Sequence, residues 1–283
     1  MFYYYAHTSH KANLDRLRRG VACINAFASQ GIECKLLVND FRAALVAKEQ
    51  LGLRDALNIE TIHDLDLVLK LNDSVIIDSN EELPLGFERF CKDYKVFIIA
   101  PDCDTKPLYN EVVINPWSQN GLFVDSAYGT KTPKIDRVLF FGGDSDPQKE
   151  ISKYLEPLQK IGAQLLLGHY FFIDYEQELK KSFEYVYESE EYQDIIPSSS
   201  HVVTTSLQCA LEAKTTGAIV GYAPKAPLQK CILTMLKKFE IDLINLSDIN
   251  SMDNLISKTI KFDNQVTNSI SCDIFSLFQE QIL

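Results

Sequence analysis

The chain reads as an α/β protein made of two similar halves, each a parallel sheet covered by helices. Three observations predict this. Short apolar runs alternate with helical patterns as far as Asn115, a polar stretch rich in Gly, Ser and Pro interrupts them, and the same alternation then restarts. Strands joined in this way form parallel sheets with right-handed crossovers. Open sheets of this kind bind ligands outside the carboxyl ends of their strands, so a cleft is expected there.

The elements follow in order. Phe2–Ala6 predicts a buried strand, and Leu14–Gln30 a helix with Leu17, Val21, Ile24 and Phe27 at helical spacing and Gly31 as its stop. Cys34–Val38 is a strand, Arg42–Leu51 a helix, Ser74–Ile77 a strand closed by Asp78 and Ser79. Leu85–Tyr94 is a helix, and Val96–Ala100 and Val112–Ile114 are strands. Asn115–Pro133 reads as a linker. Beyond it, Arg137–Phe141, Gln164–Leu167, Val202–Val203, Ala218–Tyr222 and Asp242–Leu246 read as strands. Gln148–Ile161, the segment from Ser206, Leu228–Phe239 and Ile270–Leu283 read as helices. The last carries Ile274, Phe275, Leu277, Phe278 and Ile282, too apolar a stripe for water, and is expected to pack back on the first domain. The domains are thus expected at 1–120 and 134–267, with 268–283 as the docking helix.

Composition narrows the function classes. A formal net charge of −11 argues against nucleic-acid and anionic-membrane partners, which need clustered Lys and Arg. The seven cysteines form no C-x-x-C pair and are odd in number, so no zinc or disulfide framework is expected and a reducing, cytoplasmic compartment is. The start, M-F-Y-Y-Y-A-H, lacks the features of a signal peptide, and no apolar run reaches the ~20 residues of a membrane span.

Ser206–Gln229 carries the most chemistry. A helix bearing Glu212 ends at Gly217 and is followed by an apolar strand, Pro224 and Gln229. A helix N-terminus holds a diphosphate through its free N–H groups and its dipole. Glu212 would accept hydrogen bonds from both ribose hydroxyls, and Gln229 would reach the sugar. The plain alternative is an amphipathic helix with a solvated glutamate and a glycine cap. Elsewhere, His7 and His10 follow the first strand, with His7 turned into packing and His10 poised as a base or simply solvated. Arg19 on the first helix offers a bidentate contact to a sugar or phosphate, or is a surface arginine. Asp78 and Asp102 at strand ends orient a ligand or cap a turn. Asp144, Asp146, Glu188, Glu190 and Glu191 read as a solvated acidic surface, not a metal site, and His169 and His201 as structural histidines.

Several segments, taken in order, resemble the PseG-type UDP-sugar hydrolases of pseudaminic acid synthesis, relatives of MurG with the GT-B fold. They are V-I-I-D-S at Val75–Ser79, V-F-I-I-A-P-D at Val96–Asp102, N-E-V-V-I-N at Asn110–Asn115, R-V-L-F-F-G-G-D-S-D-P at Arg137–Pro147, and the spacing of Glu212, Gly217, Pro224, Ala226 and Gln229. The resemblance implies two Rossmann-like domains and a nucleotide-sugar ligand, with no metal or other cofactor. The nucleotide would lie on Gly142, Gly143, Ser206, Leu207, Glu212 and Gln229, and Arg19 and Asp78 would face the sugar. His10 is the counterpart of the family's general base, and Asn80 stands where its catalytic-site Tyr follows I-V-D-S. The family's G-x-G-H-x-x-R loop is replaced by A-H-T-S-H-K-A-N-L-D-R at Ala6–Arg16, and its Gly-Gly-Ser by Ser206-Leu207-Gln208. The implied function is hydrolysis that releases UDP from a nucleotide-linked deoxy-amino sugar in bacterial surface-glycan or flagellar modification. The alternatives are a GT-B glycosyltransferase and a non-catalytic binding or assembly protein that keeps the fold.

Overall fold

A computed structural model describes residues 1–11, 13–117, 123–259 and 274–278. The chain divides into two compact units, the first formed by Met1–Ser9, Arg16–Ser126 and Ser271–Leu283, the second by His10–Asp15 and Ala127–Ile270.

The first unit contains β1 (Phe2–Ala6), α1 (Asp15–Ser29), β2 (Cys34–Val38), α2 (Phe41–Glu49), β3 (Ala56–Asn58), α3 (Leu65–Val68), β4 (Ser74–Asp78), α4 (Phe87–Asp93), β5 (Lys95–Ile99) and β6 (Val112–Ile114). Its strands lie in the order β3-β2-β1-β4-β5-β6, with every pairing parallel. Tyr3, Tyr4, Tyr5 and Ala6 of β1 and Val75, Ile76 and Ile77 of β4 are buried, as strands covered on both faces must be. α1 stops where foreseen: Gly31 takes φ 73°, and Ile32 N–H bonds back to Phe27 O at 3.0 Å. The described C-terminal residues Ile274–Phe278 add to this core. The Phe278 ring is fully buried and meets Phe27 and Phe97 at 5.2 Å and Phe123 at 6.2 Å, all edge-on. The remainder of the expected 270–283 helix lies outside the described residues.

The second unit contains β7 (Ile135–Phe141), α5 (Leu155–Lys160), β8 (Gln164–Leu166), α6 (Ile173–Ser182), β9 (Val186–Tyr187), α7 (Tyr192–Ser198), β10 (Ser199–Thr204), α8 (Leu207–Thr215), β11 (Ile219–Tyr222), α9 (Lys230–Lys238), β12 (Asp242–Leu243) and α10 (Ile249–Ile256). The order is β12-β11-β10-β7-β8-β9, again all parallel. Both sheets are therefore doubly wound with the same topology. Their switch points fall between β1 and β4 in the first and between β7 and β10 in the second, which is where ligands bind in such sheets. All six residues of β10 are buried, so its polar side chains must find partners. Ser200 Oγ lies 3.0 Å from both N and O of Arg137, where the β7–β10 register shifts, and supplies the bonds the ladder loses.

Several expectations change. The single helix expected over 148–161 is a 3-10 turn, Glu150–Tyr154, followed by α5. Pro157 lacks an N–H, and restarting the helix at Leu155 keeps it in a first turn where none is needed. β3 and β9 are edge strands of three and two residues, too short for a period-2 signal. The sequence pattern does not predict α3, α6, α7 or α10 either. The expected linker is partly packed: Phe123, Val124 and Tyr128 are buried, and Ser126–Gly129 forms a 3-10 turn. Cys23, Cys34, Cys91 and Cys209 are free thiols. Among the described residues no helix is long and apolar enough to cross a membrane, and no group of His, Cys, Asp and Glu could hold a metal ion.

Candidate functional site

In the first unit the carboxyl ends of β1 and β4 meet at Asp78. His7 N donates to Asp78 O at 3.0 Å. The Asp78 carboxylate is buried, and Arg19 binds it in bidentate fashion, Nε to Oδ2 at 2.9 Å and Nη2 to Oδ1 at 3.0 Å. Tyr4 Oη donates to Oδ2 at 2.9 Å, and Arg16 Nε lies 3.4 Å from Oδ1. Burial first, and then Asp78, hold the Tyr4 phenol well above its usual range, so it stays a donor. The Arg19 guanidinium also lies over the Trp117 ring, 5.6 Å from its centroid. Arg19 and Asp78, both expected to face a sugar, are thus brought together and hold one another. Asn80 is exposed two residues further on. His7 is half-buried, and its Nδ1 is a buried atom with no hydrogen-bond partner among the described residues.

In the second unit β7 ends in Gly142-Gly143-Asp144-Ser145-Asp146. Two of the five acids expected on the surface are inside: Asp144 is fully buried and Asp146 is 6% exposed, while Glu188 and Glu190 are exposed. A buried carboxylate persists only when hydrogen-bonded. Asp146 accepts from Glu150 N at 2.8 Å, Ile151 N at 3.0 Å and Tyr175 Oη at 2.6 Å. Asp144 lies 2.9 Å from His169 Nδ1 and accepts from Leu14 N at 2.8 Å. Glu188 and Glu191 cap one another's backbone across a 3-10 turn. His201, like His169, is satisfied, with Ser200 Oγ at 2.9 Å and Lys258 O at 3.0 Å.

Across the switch point, β10 runs into α8. Thr205 Oγ1 donates to Gly142 O at 2.6 Å, tying the two strand ends together. Ser206 is the N-cap, its Oγ accepting from Cys209 N at 3.0 Å. Leu207 is the half-buried first residue of the helix. Gly217, at φ 83°, ends it, as expected. Residues Gln208 to Ala213 are all buried, so neither an amphipathic helix nor a solvated Glu212 describes this segment. Glu212 is 2% exposed, and its two carboxylate oxygens accept from Tyr192 Oη at 2.7 Å and Gln208 Nε2 at 2.9 Å. Glu212→Ala is therefore expected to destabilise the second unit by about 1–3 kcal/mol for each partner left buried and unpaired. Urea denaturation measures this, and a wild-type midpoint would show that the pairing carries no stability.

Beside this switch point lies a cavity of about 320 Å³, bordered by Gly142, Ile151, Tyr154, Thr205, Pro224 and Leu246. It opens at the carboxyl ends of β7, β10, β11 and β12. Gly142 lines it; Gly143, Ser206, Glu212 and Gln229 do not. Gln229 is the exposed N-cap residue of α9, with no side-chain cap bond.

The loop between β1 and α1 belongs to the second unit from His10 to Asp15. Ser145 Oγ donates to His10 O at 2.6 Å, while the His10 residue itself is exposed. Asn13 Oδ1 accepts from Asp144 N at 3.0 Å. Leu14 is fully buried. Ser206 Oγ donates to Asp15 Oδ1 at 2.7 Å. Gly143 makes room for this loop: at φ 100° it strains any other residue, and a Cβ there would lie 2.4 Å from Asn13 Oδ1. Burial, and then the Asp15 carboxylate, push the Tyr222 phenol up to about 12. Sequence reading missed Thr205 and Tyr192 as members of this region and gave no individual role to Asn13, Asp15 or Gln208. Only the Gln208–Glu212 pair, four residues apart on one helix, left a local signal.

No protein-family model and no curated protein matches the chain. Solved structures do match it along nearly its full length. A UDP-GlcNAc 2-epimerase from Methanocaldococcus jannaschii, in complex with UDP-GlcNAc and UDP, superposes with a TM-score of 0.61 at 11% identity, covering 99% of each chain. A putative UDP-N-acetylglucosamine 2-epimerase from Listeria monocytogenes gives 0.60 at 10% identity, covering 99% of this chain and 94% of that one. The glycotransferase of kitacinnamycin gives 0.55 at 10%, with the same coverage. At such identities the likeness is one of fold, and the two doubly wound parallel sheets are those of a GT-B-type α/β protein.

Proposed function

We propose that the chain binds a UDP-sugar and processes it, hydrolytic release of UDP from a deoxy-amino sugar in bacterial surface-glycan or flagellar modification being the specific reaction. The observation that carries the reading is the cavity at the β7–β10 switch point. Its volume of about 320 Å³ falls in the range of small-molecule sites, about 300–1,000 Å³. It takes the nucleoside, with the diphosphate directed to the N-terminus of α8, where the helix dipole favours an anion without a metal. Water then attacks the anomeric carbon, the bond from that carbon to the diphosphate breaks, UDP leaves with the electron pair, and His10 takes the proton. With an acceptor hydroxyl in place of water the same chemistry is a glycosyl transfer.

A second reading keeps the ligand and drops the turnover. It is favoured by the exposure of His10 and Asn80 and by the engagement of both Glu212 oxygens within the fold.

UDP at about 100 times its dissociation constant is expected to stabilise the protein by roughly 2.7 kcal/mol, provided it binds only the native state. A thermal-shift titration reads this, and a flat response to millimolar UDP would remove the nucleotide site. Release of UDP from UDP-sugars, assayed separately, distinguishes the two readings: binding with release supports the enzyme, and binding without release supports the non-catalytic protein.

A further inference from the structure

The charged side chains that border the cavity at the β7–β10 switch point are Asp146, Glu150 and Lys225. Both acids are engaged within the fold. Asp146 accepts from Glu150 N, Ile151 N and Tyr175 Oη, and Glu150 pairs with Lys153 Nζ at 3.2 Å. Lys225, the one cation among the described lining residues, has neither a carboxylate nor another hydrogen-bond partner for its ammonium among the described residues. An exposed lysine without an ion pair is ordinary on a surface. The place of this one sets it apart. Ala223 is buried, and its N–H donates to Thr204 O at 2.8 Å. The chain leaving β11 therefore runs beside the end of β10, where α8 begins. Pro224 and Pro227 bracket Lys225, and their rings fix φ near about −65°. A stiff loop thus holds an unpaired cation at the border of the cavity.

We propose that Lys225 receives the anionic part of the ligand and so sets the preference of this site for a nucleoside diphosphate over the bare nucleoside. This rests on the nucleotide-sugar reading and names a specificity-determining residue for it. The apolar wall of the cavity, Phe140, Ile151, Ile244 and Leu246, does not distinguish charged from neutral ligands. The ammonium does, as a point charge with three donors on a flexible stem. Without it, the charged residues left on the border are both acids, and like charge opposes a diphosphate. The chain has 39 Asp and Glu against 28 Lys and Arg, so no general excess of positive charge replaces this lysine.

The test uses isothermal titration of the full chain with two probes, uridine and UDP, on wild type, Lys225→Ala, Lys225→Arg and Lys230→Ala. Lys225→Ala is expected to weaken UDP at least about tenfold, the scale of a lost charge-assisted bond, and to leave uridine within about twofold. Lys225→Arg keeps the charge and should keep most of the UDP affinity. Lys230 is an exposed lysine in the first turn of α9 that does not line the cavity. Its removal should leave both probes unchanged, which separates a bond at Lys225 from a general loss of positive charge. UDP affinity unchanged in Lys225→Ala, or lowered equally in Lys230→Ala, would overturn the role of Lys225 and leave the nucleotide site standing. Equal loss of uridine and UDP in Lys225→Ala would overturn it too, since the residue would then shape the cavity and not select the anion. No binding of either probe to the wild type would overturn the nucleotide reading, and this inference with it.

Discussion

Asp78→Ala is expected to cost about 3–5 kcal/mol of folding stability, the penalty for breaking a buried ion pair from one side. Asp78 is 3% exposed and Arg19 is 8% exposed. Without the carboxylate the buried Arg19 guanidinium loses both bonds of its bidentate pairing, and the Tyr4 hydroxyl loses its acceptor. Against a typical total of about 5–15 kcal/mol this is a large share. Equilibrium urea unfolding, followed by fluorescence, measures it. Asp78→Asn keeps the shape and an acceptor oxygen and should fall between the two. A loss below about 1 kcal/mol in the alanine variant would show that water replaces the carboxylate and that the pair is free to serve a ligand. The prediction bears on function as well as stability. Arg19 and Asp78 are expected to touch a sugar, and in the fold they bind one another.

Phe278→Ala is the second large expected effect, about 3–5 kcal/mol, as for other fully buried phenylalanines. Its ring meets Phe27, Phe97 and Phe123 edge-on, and truncation leaves a cavity that rings on a strand and a helix do not readily close. Phe275, half-buried and 5.6 Å from Phe27, should lose much less on the same substitution. Thermal unfolding of the two variants side by side reads the difference. Equal melting of Phe278→Ala and wild type would mean that the C-terminal segment contributes nothing to the first core.

The cores of both units were legible because their signals are local. β1, β2 and β6 have the expected bounds to the residue, and the glycine stops at Gly31 and Gly217 adopt the positive φ that only glycine takes without strain. What escaped was either too short to carry a period, as in β3 and β9, or depended on a partner far along the chain. Asp144 and Asp146 in G-G-D-S-D-P look like surface acids, since two charges and a serine follow a turn. Their burial follows from Leu14, His169 and Tyr175, which lie 130, 25 and 29 residues away. Glu212 was singled out for its place on the helix. Its engagement depends on Tyr192, a residue with no local relation to it.

The sequence by itself determined the α/β class, the two-fold repetition of the strand–helix rhythm, and the residues that end up at the two switch points. These depend on periodicity, glycine stops and apolar runs, which act over a few residues. Only the tertiary structure decided what the polar residues at those points do. Asp78 pairs with Arg19, Glu212 with Tyr192 and Gln208, and Asp15 with Ser206. A buried charge must find its partner wherever the chain brings one, and neither the spacing nor the composition around it records where that is.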